Sequence, residues 1–133
     1  MNKLTPDQLD MINRLQPFFK EKIGAVQYGD DYAVEVLPGQ WEIETQGIKK
    51  KGFNDYCTTL ERARKGYNVL FIPRVFDWGQ PQRSLWCMVD WTKFYLEEHH
   101  GAIDIHKNTD EVLCQECDPF TALLKALCEQ EGV

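Results

Sequence analysis

Leu85-Trp86-Cys87-Met88-Val89-Asp90-Trp91-Thr92-Lys93-Phe94-Tyr95-Leu96-Glu97-Glu98-His99 is the stretch on which the fold turns. Its apolar residues admit two periods. Leu85, Met88, Val89, Thr92, Tyr95, Leu96 and His99 fit the stripe of a single long helix. Trp91 to Leu96 is also dense in aromatic side chains, which suit a pleated surface. The aromatic density favours the broken reading: a helix from Gln82 to Asp90, opened by Pro81, then a strand over Lys93–Glu97.

Once that stretch is broken, the rest of the C-terminal half falls into register. His99-His100-Gly101 makes a turn, Ala102–His106 a strand, Asn108-Thr109-Asp110 a second turn and Glu111–Gln115 a third strand. Asp118 caps a last helix with Pro119 at its first position, and Phe120, Leu123, Leu124 and Leu127 form its apolar stripe. The order is helix, strand, strand, strand, helix. Toward the N-terminus, Tyr67–Ile72 reads as a short strand ended by Pro73, followed by a looser stretch from Arg74 to Gln80.

The N-terminal half opens with a well-signalled helix. Thr5 and Gln8 spell a capping box, Pro6 suits the first helical position, and Leu9, Met11, Ile12 and Leu15 form a stripe. Pro17 removes a backbone donor and biases Gln16 away from helix, so this helix is expected to end near 15 or 16. Phe18 to Glu44 then reads as β structure: Phe19, Glu21 and Ile23 alternate, and Ala25–Tyr28, Tyr32–Leu37 and Gln40–Thr45 are further candidates. Gly29-Asp30-Asp31 and Pro38-Gly39 are the turns between them. A basic loop, Gly47 to Gly52, leads into a helix over Asn54–Lys65, with Tyr56, Leu60 and Ala63 on one face and Gly66 as its stop. The expected fold is α+β: antiparallel sheets flanked by helices in a single domain, 1–133, with a seam near 66. Residues 1–66 would hold the first helix, a β-meander and the second helix; residues 67–133 would hold the helix–sheet–helix unit.

Five stretches of the C-terminal half carry a resemblance: Ile72-Pro73-Arg74-Val75-Phe76-Asp77, Ser84-Leu85-Trp86-Cys87-Met88-Val89, Phe94-Tyr95-Leu96-Glu97, Gly101-Ala102-Ile103-Asp104-Ile105, and Asp118-Pro119-Phe120-Thr121-Ala122-Leu123-Leu124-Lys125-Ala126-Leu127. Together they resemble the phage ABA-sandwich family, small domains of bacteriophages and prophages, over roughly residues 70–130. The resemblance implies a phage or prophage context and an accessory role. It assigns no catalytic residues, and it does not extend to residues 1–66.

Composition bounds the function. The 133 residues are 43% hydrophobic and 27% charged, which is globular usage and long enough to fold without a metal or disulfide staple. The longest apolar run, Val69-Leu70-Phe71-Ile72, is far too short to span a bilayer, so no membrane partner is expected. The opening residues read as an acidic amphipathic helix and not as an apolar signal core, so a cytosolic chain is expected; the phage resemblance implies that this is the cytoplasm of a bacterial host cell. The five cysteines are then expected as thiols. The net charge of −6 is uneven: residues 1–48 carry −4, residues 49–65 carry +4, residues 66–107 carry −1 and residues 108–133 carry −5.

Three constellations are candidate sites. Cys114-Gln115-Glu116-Cys117 is a C-x-x-C pair that, with His99 or His100 and with His106 nearby, could hold one zinc. The plainer reading makes Cys114 an inward strand residue and Cys117 a small residue before the helix cap, with the sulfurs diverging. A redox pair is the weaker third reading. The basic island, Lys49, Lys50, Lys51, Arg62, Arg64 and Lys65, is interleaved with Phe53, Tyr56 and Tyr67 and could hold phosphates and stack a base; the plainer reading, favoured by the acidic net charge, is a solvated face and a helix C-terminus. Trp78, Trp86 and Trp91 lie in an aromatic-rich segment with Phe76, Phe94 and Tyr95, where large rigid side chains serve either a core or a protein interface. Trp78, between Asp77 and Gly79, is the one expected at the surface.

The sequence declares no enzymatic mechanism. Asp30-Asp31 and Glu97-Glu98 read as solvated acids, and no G-x-S-x-G, P-loop, G-x-G-x-x-G or H-E-x-x-H occurs. Ser84 is the only serine and has no paired histidine in sequence, while a cysteine–histidine nucleophile stays open. The leading expectation is a non-enzymatic interaction protein that binds a protein partner or a second copy of itself and holds no cofactor. A nucleic-acid module using the basic island and a small zinc protein are the alternatives.

Overall fold

Pro17 does not end the first helix. In the computed structural model, which describes residues 3–49 and 56–133, helix α1 runs from Pro6 to Ile23 with Pro17 inside it. The strand expected over Phe19–Ile23 is helix, and Ala25–Tyr28 is irregular. The apolar set explains the extension. Met11, Ile12, Leu15, Phe18 and Phe19 are all buried and spaced as one helical stripe, so two phenylalanines reward the turn that proline weakens. Thr5 and Gln8 form the capping box, and Gly24 closes the helix at φ 69°, its N–H donating to the Lys20 carbonyl.

The chain divides into two compact units, Met1–Pro73 and Arg74–Val133. In the first, strands β1 (Asp31–Leu37), β2 (Gln40–Thr45) and β3 (Val69–Ile72) form an antiparallel sheet in the order β2-β1-β3. Asp31 belongs to β1 and not to the preceding turn. Tyr32, Val34 and Cys57 make a buried cluster with Val36 and Val69. The edge of β3 is closed by a side chain: the Gln16 amide donates to the Phe71 carbonyl at 2.9 Å and accepts from the Phe71 N–H at 2.9 Å. Phe19 meets the Phe71 ring edge-on at 6.2 Å, so one turn of α1 both covers and terminates the sheet.

Helix α2 is shorter than the sequence suggests. It spans Thr59–Arg64, and Thr58 caps it by accepting from the Glu61 N–H. Tyr56 sits in an isolated bridge to Lys49 and not in the helix, and the expected cap Asn54 lies outside the described residues. The expected inner face is also absent, since Leu60 is exposed and no residue of α2 is buried.

The second unit has the expected helix–strand–strand–strand–helix order. The helix expected over Gln82–Asp90 is a 3-10 turn, Pro81–Arg83, followed by a single helical turn α3, Leu85–Met88. Ser84 divides them: its backbone is extended, and its side chain accepts from the Cys87 N–H as a fresh N-cap. The long-helix reading fails here, because Phe94–His99 is strand β4. It pairs with β5 (Ala102–Lys107), which pairs with β6 (Val112–Cys117), all antiparallel. His100 and Gly101 join β4 to β5 with φ of 50° and 87°, the positive pair that a two-residue hairpin demands. Helix α4 (Pro119–Glu131) is capped by Asp118 and packs on β5, β6 and α3 through a stripe that includes Phe120, Leu123, Leu124 and Leu127. Its Gln130 accepts from the Asp90 N–H at 2.7 Å and donates to the Met88 carbonyl at 3.1 Å, tying off the end of α3.

Candidate functional site

The β4–β5 hairpin places two histidines and two carboxylates on one face. Tyr95 pairs with His106, Glu97 with Asp104 and His99 with Ala102, and cross-strand partners share a face. The opposite residues of β5, Ile103 and Ile105, are buried on the side that α4 covers. The outer face therefore carries Glu97, His99, Asp104 and His106. His99 Nε2 is 3.1 Å from Asp104 Oδ2 and 3.7 Å from Glu97 Oε2, and His106 Nε2 is 3.7 Å from Glu97 Oε1.

Each member is positioned by a separate device. The tight hairpin fixes the register that sets His99 beside Asp104. Asp104 is buried, and its Oδ1 accepts from the Glu116 N–H at 2.6 Å, which leaves Oδ2 turned to His99. That N–H is available because β6 bulges at this point, with Glu116 at φ 52°. The His106 ring stacks on Tyr95 at 4.8 Å and 8°, and the Tyr95 hydroxyl donates to Asp110 at 2.7 Å. Both ring nitrogens of His106 are sealed from solvent without a hydrogen-bond partner.

The bulge also decides the fate of the C-x-x-C motif. Cys114 pairs with Ile105 and Cys117 with Ile103, so three steps on β6 span two on β5. Without the extra residue the two thiols would face opposite ways; with it both sit on the inner face, and the expected divergence does not occur. Burial, then a hydrogen bond to Cys117, pushes the Cys114 thiol up to about 11. Lys125 on α4 lies 3.8 Å from Cys117 Sγ. His99 lies on the other face and His100 is the exposed turn residue, so the structure does not bring the cysteines and histidines of the expected zinc set together.

The basic island is largely engaged within the chain. Arg62 grips Glu44 with two hydrogen bonds, of 3.0 Å from Nε and 2.5 Å from a terminal nitrogen, and Glu44 also accepts from the buried Tyr32 hydroxyl at 2.8 Å. The carboxylate beside it raises the Arg62 pKa further, and burial with the Glu44 hydrogen bond pushes the Tyr32 phenol far above its ordinary value. Arg64 and Lys65 pair with Glu61, and Lys49 lies over the Tyr56 ring at 5.0 Å. Lys50 and Lys51, with Phe53, lie outside the described residues.

The tryptophans separate by exposure. Trp78 is 89% exposed, while Trp86 is 38% exposed and packs against Trp91 at 4.7 Å. The Trp91 indole N–H donates to the Trp86 carbonyl at 2.9 Å. A groove of about 740 Å³ in the first unit runs between α1 and β3, and among the described residues Lys20 is the only charged one in its lining.

Sequence reading passed over Asp104 and treated Glu97 as a solvated strand end. The available signal was the alternation Glu97-x-His99 facing Asp104-x-His106 across a tight His-Gly turn. No family model, no curated protein and no solved structure matches the chain.

Proposed function

We propose that the chain is a non-enzymatic interaction protein, an accessory protein of phage or prophage type, whose C-terminal unit binds a basic protein partner through Trp78. The carrying observation is the exposure of Trp78 on a held loop. Asp77 Oδ1 accepts from the N–H groups of Gly79 at 2.9 Å and Gln80 at 3.1 Å, and the Phe76 ring meets the indole edge-on at 4.6 Å. A large aromatic presented this way loses little conformational entropy when covered, which is the profile of an interface anchor.

Charge specifies the partner. Met1–Pro73 carries ten Lys/Arg and ten Asp/Glu, whereas Arg74–Val133 carries five and eleven, so the whole −6 belongs to the unit that bears Trp78. A positively charged protein surface is steered toward it, while polyanions and second copies of the same unit are repelled.

A photo-crosslinking residue at position 78 of the full chain, in the cells that produce it, tests this. The expected adduct is with a basic protein. Once that protein is purified, Trp78→Ala should weaken binding by roughly tenfold or more, while the exposed Leu37→Ala leaves it unchanged. Binding should also weaken with added salt. An adduct only with the chain itself or with nucleic acid, no adduct at all, or full binding by Trp78→Ala would overturn the reading.

A further inference from the structure

We propose that Glu97, His99 and Asp104, on the outer face of the β4–β5 hairpin, bind a divalent transition-metal ion of the zinc class, with His106 positioning Glu97. The site shares no residue with the Trp78 loop and does not rest on the interaction reading.

Spacing is the first argument. One ligand atom from each of Glu97, His99 and Asp104 lies within 4.8 Å of the others, with His99 Nε2 at 3.1 Å and 3.7 Å from the two carboxylates. Two donors about 2.0–2.1 Å from a tetrahedral zinc stand roughly 3.4 Å apart, so the two distances from His99 fall on either side of the edge of a coordination shell. An imidazole with two carboxylates is a mixed nitrogen–oxygen set that suits zinc and its neighbours better than calcium or magnesium.

Preorganisation is the second. The carboxylate of Asp104 is anchored through one oxygen by the Glu116 N–H, which leaves the other directed at His99. Metal-binding carboxylates are commonly held in this way by a hydrogen bond from outside the ligand set. The hairpin holds His99 in register from the backbone side. His99 and Glu97 are half exposed, so an ion can enter from solvent and keep a water in its fourth position.

The third argument is His106. Its two nitrogens are buried without a partner, and Nε2 faces Glu97 Oε1 at 3.7 Å, beyond hydrogen-bond length. A sealed imidazole whose nitrogens make no hydrogen bond is costly, and the stack on Tyr95 places the ring without satisfying them. An ion held by Glu97 Oε2 gives it a purpose: Oε1 is then the oxygen that turns back to accept from His106, and the imidazole fixes the ligand from behind.

The test uses the intact chain, stripped with chelator, and zinc or cobalt chloride as the probe. Calorimetric titration with zinc should show one saturable equivalent. His99→Ala and Glu97→Gln should each lower affinity by more than roughly tenfold. Cys114→Ser with Cys117→Ser should leave it unchanged, and the cobalt complex should lack a thiolate charge-transfer band. His106→Ala should also weaken binding by about tenfold, with His106→Gln, which keeps an N–H donor, restoring most of it. Matching unfolding midpoints of the metal-free variants guard against misfolding. If a variant does not fold, cobalt-induced paramagnetic shifts of the His99 ring protons in the wild-type chain decide the matter. Absence of saturable binding, binding lost with the cysteines, affinity untouched by His99→Ala and Glu97→Gln, or unshifted His99 resonances would overturn the site; a His106→Gln variant as weak as His106→Ala would overturn the positioning role.

Discussion

Each three-stranded sheet carries a buried acid, and the two acids are treated in opposite ways. Glu44 on β2 has a fully buried side chain, and its oxygens are claimed by Arg62 twice and by Tyr32. Asp104 on β5 is comparably buried, but its partners are one backbone N–H and a half-exposed histidine that it shares with Glu97. The first is a closed network whose charges balance inside the chain. The second sets two carboxylates beside two imidazoles and leaves the nitrogens of one imidazole without a hydrogen bond. A closed network contributes to holding a fold, whereas an open one retains capacity for something that is not part of the chain.

The matched carboxylate-to-amide substitution breaks this comparison most directly. Glu44→Gln leaves the Arg62 guanidinium, 18% exposed, facing a neutral amide. It should lower the stability of the full chain by about 3 kcal/mol in urea unfolding. Asp104→Asn keeps an acceptor for the Glu116 N–H and removes one of two negative charges that crowd the site. Its effect on the metal-free chain should stay within about 1 kcal/mol of zero. Equal costs at the two positions would mean that the C-terminal cluster is as closed as the N-terminal one, and the contrast would fail.

How much of this was legible in the sequence follows the same divide. Local signals read through: the Thr5–Gln8 capping box, the Pro38-Gly39 turn, the Asp118 cap and the His100-Gly101 hairpin each act within four residues. Breaking the 85–99 stretch into helix and strand was also correct, because aromatic density is a local property. What failed depended on partners distant in sequence. Pro17 reads as a stop because Phe71, which rewards the continued helix through Gln16 and Phe19, is more than fifty residues away. The plainer reading of the C-x-x-C pair has its sulfurs diverge because a one-residue bulge leaves no mark on composition. Glu97 and Asp104 become a pair only through the register that the His100-Gly101 turn sets.

The smallest effect separates the two faces of the C-terminal sheet. Cys114 lies under α4, where burial and the Cys117 hydrogen bond push its thiol from near 9 to about 11. The raised value means that the neutral thiol is the form the folded state prefers. The resulting stabilisation is fully present below the unfolded thiol's pKa and is lost as pH rises through the folded value. Unfolding midpoints of the full chain should therefore fall between about pH 9 and 11, and Cys114→Ala should flatten that part of the slope relative to wild type. His99→Ala, on the other face, should leave that slope intact. At pH 8 the exposed Cys87 should alkylate roughly tenfold or more faster than Cys114, read by mass spectrometry of the modified peptides. Equal rates would show that the inner face opens to solvent, and the open site on the outer face would then be no more than one part of a loosely packed sheet.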